Sequence, residues 1–164
     1  MKKFLFGIAL VFSLLVIATG FTENPADKKI GINSQMPVFQ VSNQTNSMTV
    51  GNQADNYILV SFWDSSDAES RLACTMYQGI INNDVNSNIE FVAINFDINV
   101  DLFAEIVRID NLDTNLQYRL DSNTAMQLRA IFDLDKGMGS VLVAPDGTIA
   151  AFNPSSEYLK ALMS

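Results

Sequence analysis

Apolar residues recur along this chain with two spacings, one typical of strands and the other of helices. Residues 57–63 and 89–97 are apolar at nearly every position, as in strands that are buried on both faces. Elsewhere, apolar positions repeat every three or four residues and predict helices that pack on a sheet. The predicted strands are 38–41, 57–63, 89–97, 116–120, 141–144 and 148–152, and the predicted helices are 66–82, 100–109, 123–132 and 155–163.

Some details of this pattern give specific expectations. Residues 38–41 follow Pro37, which predicts a short edge strand. The first helix is predicted to begin at Ser66, which forms a capping box with Glu69 three residues later. Each predicted helix has an inward apolar face. The residues predicted to face inward are Leu72, Met76 and Ile80, with Ala73 and Tyr77 beside them, in the first helix, Leu102, Phe103, Ile106 and Ile109 in the second, Ala125, Leu128, Ile131 and Phe132 in the third, and Tyr158, Leu159 and Leu162 in the last.

The first 29 residues follow a different pattern. Two lysines precede an apolar stretch at residues 4–18, which is typical of a secretory signal and predicts export to the periplasm or another extracytoplasmic space. The stretch approaches the roughly 18 residues that begin to indicate a membrane span, so an uncleaved anchor remains the alternative. The predicted organisation is a signal peptide at 1–20, a polar tether at 21–29 and one domain at 30–164.

Composition excludes several classes of function. The chain has no histidine, which removes the catalytic triads and metal sites that depend on imidazole. Its one cysteine, Cys74, cannot form an intramolecular disulfide. Without Lys2 and Lys3, 10 − 2 = 8 basic residues face 18 acidic ones, a formal charge of −10 that disfavours nucleic acid as a partner. We predict no cofactor. We also predict no metal site, because the segment that begins at Asp133 like a calcium loop has Ala144, which cannot chelate, at its twelfth position.

The order of the predicted elements indicates an α/β fold, in which a central mixed sheet is flanked by helices. The segment Phe62-Trp63-Asp64-Ser65-Ser66-Asp67-Ala68-Glu69-Ser70-Arg71 resembles the Phe-Trp-Ala-Ser-Trp-Cys-x-x-Cys-Arg loop of the thioredoxin-like superfamily. The earlier segment from Gly31 through Pro37 to Val41 resembles the opening of its TlpA-like branch. This resemblance implies a thioredoxin-like three-layer sandwich and, for a typical member, thiol-disulfide oxidoreductase activity.

The same resemblance identifies positions where this chain departs from the family pattern. Asp67 and Ser70 stand where the family has its two redox cysteines, and a carboxylate and a hydroxyl cannot exchange the electron pair of a dithiol. Met138 stands where the family has a cis-proline. A non-proline cis bond costs about 2.5–4 kcal/mol, so we expect a trans peptide there.

These departures favour a binding or scaffolding module in the cell envelope that has lost dithiol catalysis. The resemblance implies that its binding surface is the former active-site edge. The candidate residues there are Trp63, Asp64, Ser66, Met138 and Gly139, beside the degenerate redox positions Asp67 and Ser70. Inward packing is the alternative for the tryptophan. The expected partner is an envelope protein or peptide, and a membrane only if the leader is retained.

The alternative hypothesis is an enzyme. A thiol-disulfide oxidoreductase of the thioredoxin family would here use the single Cys74, with an external thiol to resolve the mixed disulfide. Against this, free cysteines are among the most buried residue types, and Cys74 lies away from the helix N-terminus that lowers a thiol pKa. A reactive Cys74 with a low pKa would distinguish the enzyme from the binding module.

Overall fold

The structure, a computed structural model, describes residues 30–84 and 87–164. The predicted signal peptide and tether at 1–29 lie outside the described residues. The strands are β1 (Phe39–Ser42), β2 (Ser47–Val50), β3 (Tyr57–Trp63), β4 (Ile89–Asn95), β5 (Gln117–Arg119), β6 (Ser140–Val143) and β7 (Ile149–Phe152). The helices are α1 (Ala68–Asn82), α2 (Val100–Ile109), α3 (Ser122–Phe132) and α4 (Ser156–Met163), and single 3₁₀ turns occupy Thr114–Leu116 and Leu134–Lys136.

The strands form one mixed sheet in the order β2-β1-β5-β4-β3-β6-β7. Strands β3 and β4 are parallel and central, as their continuous apolar pattern predicts, and β6 and β7 form the predicted antiparallel hairpin. The sheet separates two apolar cores. One contains Leu128 of α3, and the other contains side chains of α1, α2 and α4, such as Tyr77, Val107 and Leu159. The predicted α/β three-layer sandwich is confirmed.

The predicted edge strand is not at the edge. Strand β1 pairs with β2 on one side and with β5 on the other, so β2 is the outermost strand. The sequence pattern concealed β2 because only Val50 of its four residues is buried. An edge strand with one buried side chain has almost no hydrophobic alternation from which to predict it.

The predicted inward face of α1 is correct for Tyr77, which is buried, and for Ala73 and Ile80, which pack against the core, but it is wrong for Leu72 and Met76. Leu72 is 71% exposed and Met76 is 38% exposed, whereas the residues that pack against the sheet are Ser70, Cys74, Tyr77 and Ile81. Leu72 is two residues from both Ser70 and Cys74, which is about 200° around a helix of 3.6 residues per turn, so it faces away from the sheet. Two of the inward residues, Ser70 and Cys74, are small and allow the helix to lie close to the sheet. Because they are not large apolar residues, the hydrophobic pattern of the sequence does not mark this face.

Helices α2 and α4 show smaller departures of the same kind. Leu102 and Ile109 are 44% and 56% exposed, and Val107 is buried beside Ile106 instead. In α4, Leu159 is fully buried as predicted, but Tyr158 is 45% exposed. Within residues 30–84 and 87–164, no helix has the length and apolarity that crossing a membrane requires.

Candidate functional site

The loop between β3 and α1 is organised by the carboxylate of Asp64. One of its oxygens, Oδ1, accepts hydrogen bonds from the Ser66 backbone N–H at 2.9 Å, the Ser66 hydroxyl at 2.7 Å and the Asp67 N–H at 3.1 Å. This side-chain-to-backbone turn ends the strand sharply and turns the chain toward the helix.

Asp67 is the N-cap of α1, and the predicted capping role of Ser66 is wrong. The Asp67 oxygen Oδ1 accepts from the N–H groups of Glu69 at 3.0 Å and Ser70 at 3.1 Å. A carboxylate at this position satisfies two unpaired backbone donors and lies in the favourable field of the helix N-terminus. Ser66 instead donates its hydroxyl to Asp64, two residues earlier.

The second oxygen of Asp67 reaches the loop before β6. Asp67 Oδ2 accepts a hydrogen bond from the Met138 backbone N–H at 3.3 Å, so the structure brings together these two predicted site positions. The peptide bonds of the described residues are all trans, as expected for Met138. Ser70, only 4% exposed, donates its hydroxyl to the Asp67 carbonyl at 3.0 Å.

The loop at residues 137–140 is held by the strands beneath it. The Gly139 carbonyl accepts from the Phe62 N–H at 2.9 Å, and the Ser140 N–H donates to Asn153 Oδ1 at 2.7 Å. A Cβ added to Gly139 would lie 3.1 Å from Asn153 Oδ1, so this position has little space for a side chain. Asn153 was not predicted, and no local pattern marks it, because it acts across 13 residues of chain.

Asp97 is a second residue of the site that the sequence analysis missed. Its carboxylate accepts from the Ser65 N–H at 3.1 Å, the Ser65 hydroxyl at 2.5 Å and the Asn95 side-chain amide at 2.7 Å. It therefore ties the end of β4 to the loop after β3. A polar residue two positions after a buried strand was the available signal, since parallel strands end at the same edge of a sheet.

Trp63 does not belong to the predicted surface. Its side chain is fully buried, and its indole N–H donates to Gln117 Oε1 at 3.1 Å. Its ring lies 5.8 Å from that of Phe103, centroid to centroid. Trp63 faces the core because residues alternate across a strand, and its position in β3 points to the α1–α2 side.

Cys74 is fully buried on the inward face of α1. Burial raises the pKa of its thiol from 9.0 to about 12, against a smaller opposing effect of the Gln117 side chain. The thiolate, which is the reactive form, is therefore scarce at neutral pH. The geometry gives no support to Cys74 as a nucleophile.

What remains exposed at this edge is a small polar platform, which we call the loop edge and define as Asp64, Ser66, Asp67, Met138 and Gly139. Asp64, Asp67, Met138 and Gly139 are partly exposed and Ser66 is exposed. A cavity of about 130 Å³ lies beside the platform, lined by Met138 and Gly139 among others. The described residues contain no cluster of side chains able to hold a metal ion. The arrangement can form hydrogen bonds with a partner, but it has no group that transfers electrons.

Solved structures similar to this fold are thioredoxin-like proteins. A thioredoxin-like protein from Parabacteroides distasonis is 27% identical, with 82% of this chain and 96% of that chain covered at a TM-score of 0.68. The thioredoxin domain of a thiol-disulfide oxidoreductase from Bacteroides vulgatus is 17% identical, with coverage of 83% and 100% at a TM-score of 0.71. StoA from Bacillus subtilis is 16% identical, with coverage of 78% and 97% at a TM-score of 0.62.

No protein-family model and no curated protein sequence matches the chain. The fold and the similarity to solved structures agree with the loop pattern read from the sequence, and the chain's single cysteine lies outside both redox positions of that pattern. The chain therefore has a thioredoxin-like fold, and its single cysteine, Cys74, is not at Asp67 or Ser70, the two positions that the sequence resemblance aligns with the redox cysteines.

Proposed function

We propose that this chain is an exported thioredoxin-like domain that has lost dithiol redox catalysis and binds a protein or peptide in the cell envelope. The observation that carries the proposal is the Asp67 carboxylate. By the sequence resemblance it stands at the position of the nucleophilic thiol, and it accepts backbone hydrogen bonds from Glu69, Ser70 and Met138.

Two features support the loss of catalysis. A disulfide exchange needs an attacking thiolate and a second thiol to resolve the mixed disulfide, and the chain has one cysteine in total. That cysteine is fully buried, and its pKa is raised to about 12. A single inaccessible thiol supplies neither half of the reaction.

The binding role is supported by the order of the loop edge. Its carboxylates are hydrogen-bonded to the backbone, so the loop is already ordered before a partner binds. Binding would therefore cost little conformational entropy in the loop. Ile98 is 97% exposed and follows Asp97, whose carboxylate accepts a hydrogen bond from Ser65 in the same loop as Asp64 and Ser66. An exposed apolar side chain beside a polar platform is a combination typical of protein contacts.

The envelope location rests on the leader pattern at residues 1–20, and its test is the mature N-terminus. We expect a chain expressed with its own leader to be recovered outside the cytoplasm, with its N-terminus close to residue 21. Recovery of the intact chain in the membrane fraction would support the retained anchor instead.

The catalytic half of the proposal is tested by insulin-disulfide reduction. We would compare the wild-type chain, Cys74→Ser and the double substitution Asp67→Cys with Ser70→Cys. We expect no activity from the first two and measurable activity from the third, because both restored thiols would lie at the start of α1. Activity in the wild type that disappears in Cys74→Ser would overturn the proposal and favour the single-cysteine enzyme.

The binding half is tested by capture of partners from envelope extract. Ser66→Arg places a bulky cation on the loop edge at an exposed position, and Asn56→Arg places the same group at the opposite end of β3. We expect a protein captured by the wild type to be lost with Ser66→Arg and retained with Asn56→Arg. Equal capture by both variants would remove the loop edge as the binding surface.

A further inference from the structure

The outermost strand, β2, has backbone groups that face away from the sheet. Among the described strands it pairs with β1 alone. The Asn43 N–H donates to the Asn46 carbonyl at 2.9 Å, which makes these two residues a hydrogen-bonded pair at the start of the hairpin. Because such pairs alternate along an antiparallel ladder, the N–H and C=O groups of Ser47 and Thr49 point away from β1. We call this row of groups the open edge.

The other side of the sheet is covered by the protein's own chain. Ile149 of β7 accepts from the Asn33 N–H at 2.9 Å and donates to the Ser34 carbonyl at 2.9 Å. Within residues 30–84 and 87–164, no backbone hydrogen bond of this kind reaches the open edge. Proteins also protect an edge strand with a charged side chain, a proline or a bulge. Strand β2, with the sequence Ser-Met-Thr-Val, has no charge or proline, and its pairing with β1 has no register shift.

The open edge lies within an uncharged stretch of the sequence. Residues 30–54 contain no Asp, Glu, Lys or Arg. The 16 acidic and 6 basic residues at positions 55–164 are 18 − 2 and 10 − 4, after the charged residues before position 30 are subtracted, and they give a formal charge of −10. Two copies of so acidic a chain repel each other least where neither surface carries charge. A basic partner, in contrast, would gain nothing from charge at this edge.

We propose that the open edge pairs with the open edge of a second copy of this chain, so that the two sheets join in a two-fold symmetric dimer. In an antiparallel pairing centred on Met48, Ser47 lies opposite Thr49 of the second copy, and the reverse. Each N–H of the open edge then meets a C=O of the other copy, and the whole row is satisfied. Such a contact uses the same surface on both copies, so it closes as a dimer and does not continue into a fibre.

The side chain of Met48 supports this register. Met48 is partly buried and packs against the core that contains Val50. The pairing places the two Met48 residues opposite each other without hydrogen bonds between them, with Cα atoms about 4.5 Å apart, so each side chain covers the other. A pairing centred on Thr49 would instead place Ser47 opposite Gly51, whose φ of 93° ends the strand. The proposal uses no residue of the loop edge and stands apart from the function proposed there.

Sedimentation velocity of the purified chain, expressed with its own leader, tests for the dimer. We expect a reversible equilibrium between monomer and dimer, with no larger species. Dimer affinity should be at least threefold higher in high salt than in low salt, because salt screens the repulsion between two acidic copies. A monomer at every concentration, growth into larger species, or a dimer that weakens as salt is added would each overturn the proposal.

Two substitutions locate the contact. Thr49→Pro removes an N–H of the open edge but none that β1 accepts, and an edge strand tolerates proline at such a position. Ser47→Glu places a carboxylate at an exposed position where the copies meet, and it tests the proposal even if the proline variant does not fold. We expect each to weaken dimerisation at least tenfold. Ser122→Glu is the matched control, since it adds the same charge at an exposed serine of α3 and should dimerise as the wild type does. Unchanged dimerisation in Ser47→Glu would overturn the proposal.

Disulfide cross-linking tests the register. In a Cys74→Ser background, Met48→Cys places two thiols opposite each other across the two-fold axis. The expected Cα separation of about 4.5 Å lies within the range of about 4.4–6.8 Å that a disulfide spans. Ala151→Cys in the same background tests β7, the outer strand on the other side of the sheet. We expect mild oxidation to give a covalent dimer of Met48→Cys and none of Ala151→Cys. A covalent dimer of Ala151→Cys alone would place the contact at β7 and overturn the proposal.

Discussion

The carboxylate of Asp67 connects the first turn of α1 to the backbone of Met138. One oxygen caps the helix through Glu69 and Ser70, and the other accepts from the Met138 N–H at 3.3 Å. In the thioredoxin-like pattern these two positions hold a cysteine and a proline, and proline has no N–H to donate. The two departures from the pattern are therefore linked by one hydrogen bond that the family residues cannot form.

Replacing the cap should destabilise the domain, whereas replacing its neighbour should not. We expect Asp67→Ala to lower the free energy of unfolding by about 0.5–2 kcal/mol, the usual cost of losing an N-cap side chain. Ser66→Ala should stay within about 0.5 kcal/mol, because the hydroxyl is exposed and caps nothing. Urea unfolding of both variants measures the difference. A larger loss in Ser66→Ala would restore the capping role predicted from the sequence.

The link between the two positions predicts that their substitutions are not additive. Met138→Pro removes the N–H that Asp67 accepts, so it should cost more in the wild type than in an Asp67→Ala background. We expect a coupling of at least about 0.5 kcal/mol, as for other contacting residues. A double-mutant cycle by urea unfolding gives the value directly, and additive losses would show that the 3.3 Å contact contributes nothing.

The order of strands and helices could be predicted from sequence because β3 and β4 are apolar throughout and the hairpin turn has strong local signals. The thioredoxin-like loop was found for the same reason, since its residues are contiguous. Strand β2 was missed because its pairing with β1, and not its own side chains, makes it a strand. Local patterns fail where tertiary contacts decide the structure.

The site was only partly predictable on similar grounds. Asp67 and Met138 were identified as separate departures, but nothing in the sequence shows that they meet. Asn153 and Asp97 act on residues 13 and 32 positions away, so no short motif contains them. Trp63 was named as an aromatic contact with inward packing as its alternative, and strand alternation turns it into the core.

The observed face of α1 can be checked by truncating side chains on its two sides. Ile81→Ala should lower the free energy of unfolding by about 2–5 kcal/mol, the usual range for a buried isoleucine. Leu72→Ala should change it by no more than about 0.5 kcal/mol, because the side chain is 71% exposed. The reverse order of effects in thermal or urea unfolding would favour the stripe predicted from the sequence.

An ion pair joins α1 to Asp110, the residue that caps the C-terminus of α2. Arg71 donates to both oxygens of Asp110 at 2.7 Å, and the two side chains are 26% and 16% exposed. We expect Arg71→Gln to cost about 1 kcal/mol, less than a fully buried pair because solvent screens both groups. Arg108→Gln is the control, since Arg108 forms a similar bidentate pair with Glu105 on an exposed face and should have no measurable effect. Equal losses would contradict a special role for the Arg71 contact.

The buried thiol predicts how stability depends on pH in alkaline solution. The pKa of Cys74 is raised from 9.0 to about 12 in the folded protein, so between these values the unfolded chain releases a proton that the folded chain retains. Ionisation then favours unfolding, and the wild type should lose up to about 1.4 kcal/mol per pH unit above 9. Cys74→Ala lacks this contribution. We expect the stability difference between wild type and variant, measured by urea unfolding from pH 8 to pH 10.5, to be constant below 9 and to shift against the wild type above it. A difference that stays constant throughout would mean that the folded thiol ionises as readily as a free one, and Cys74 would return as a candidate nucleophile.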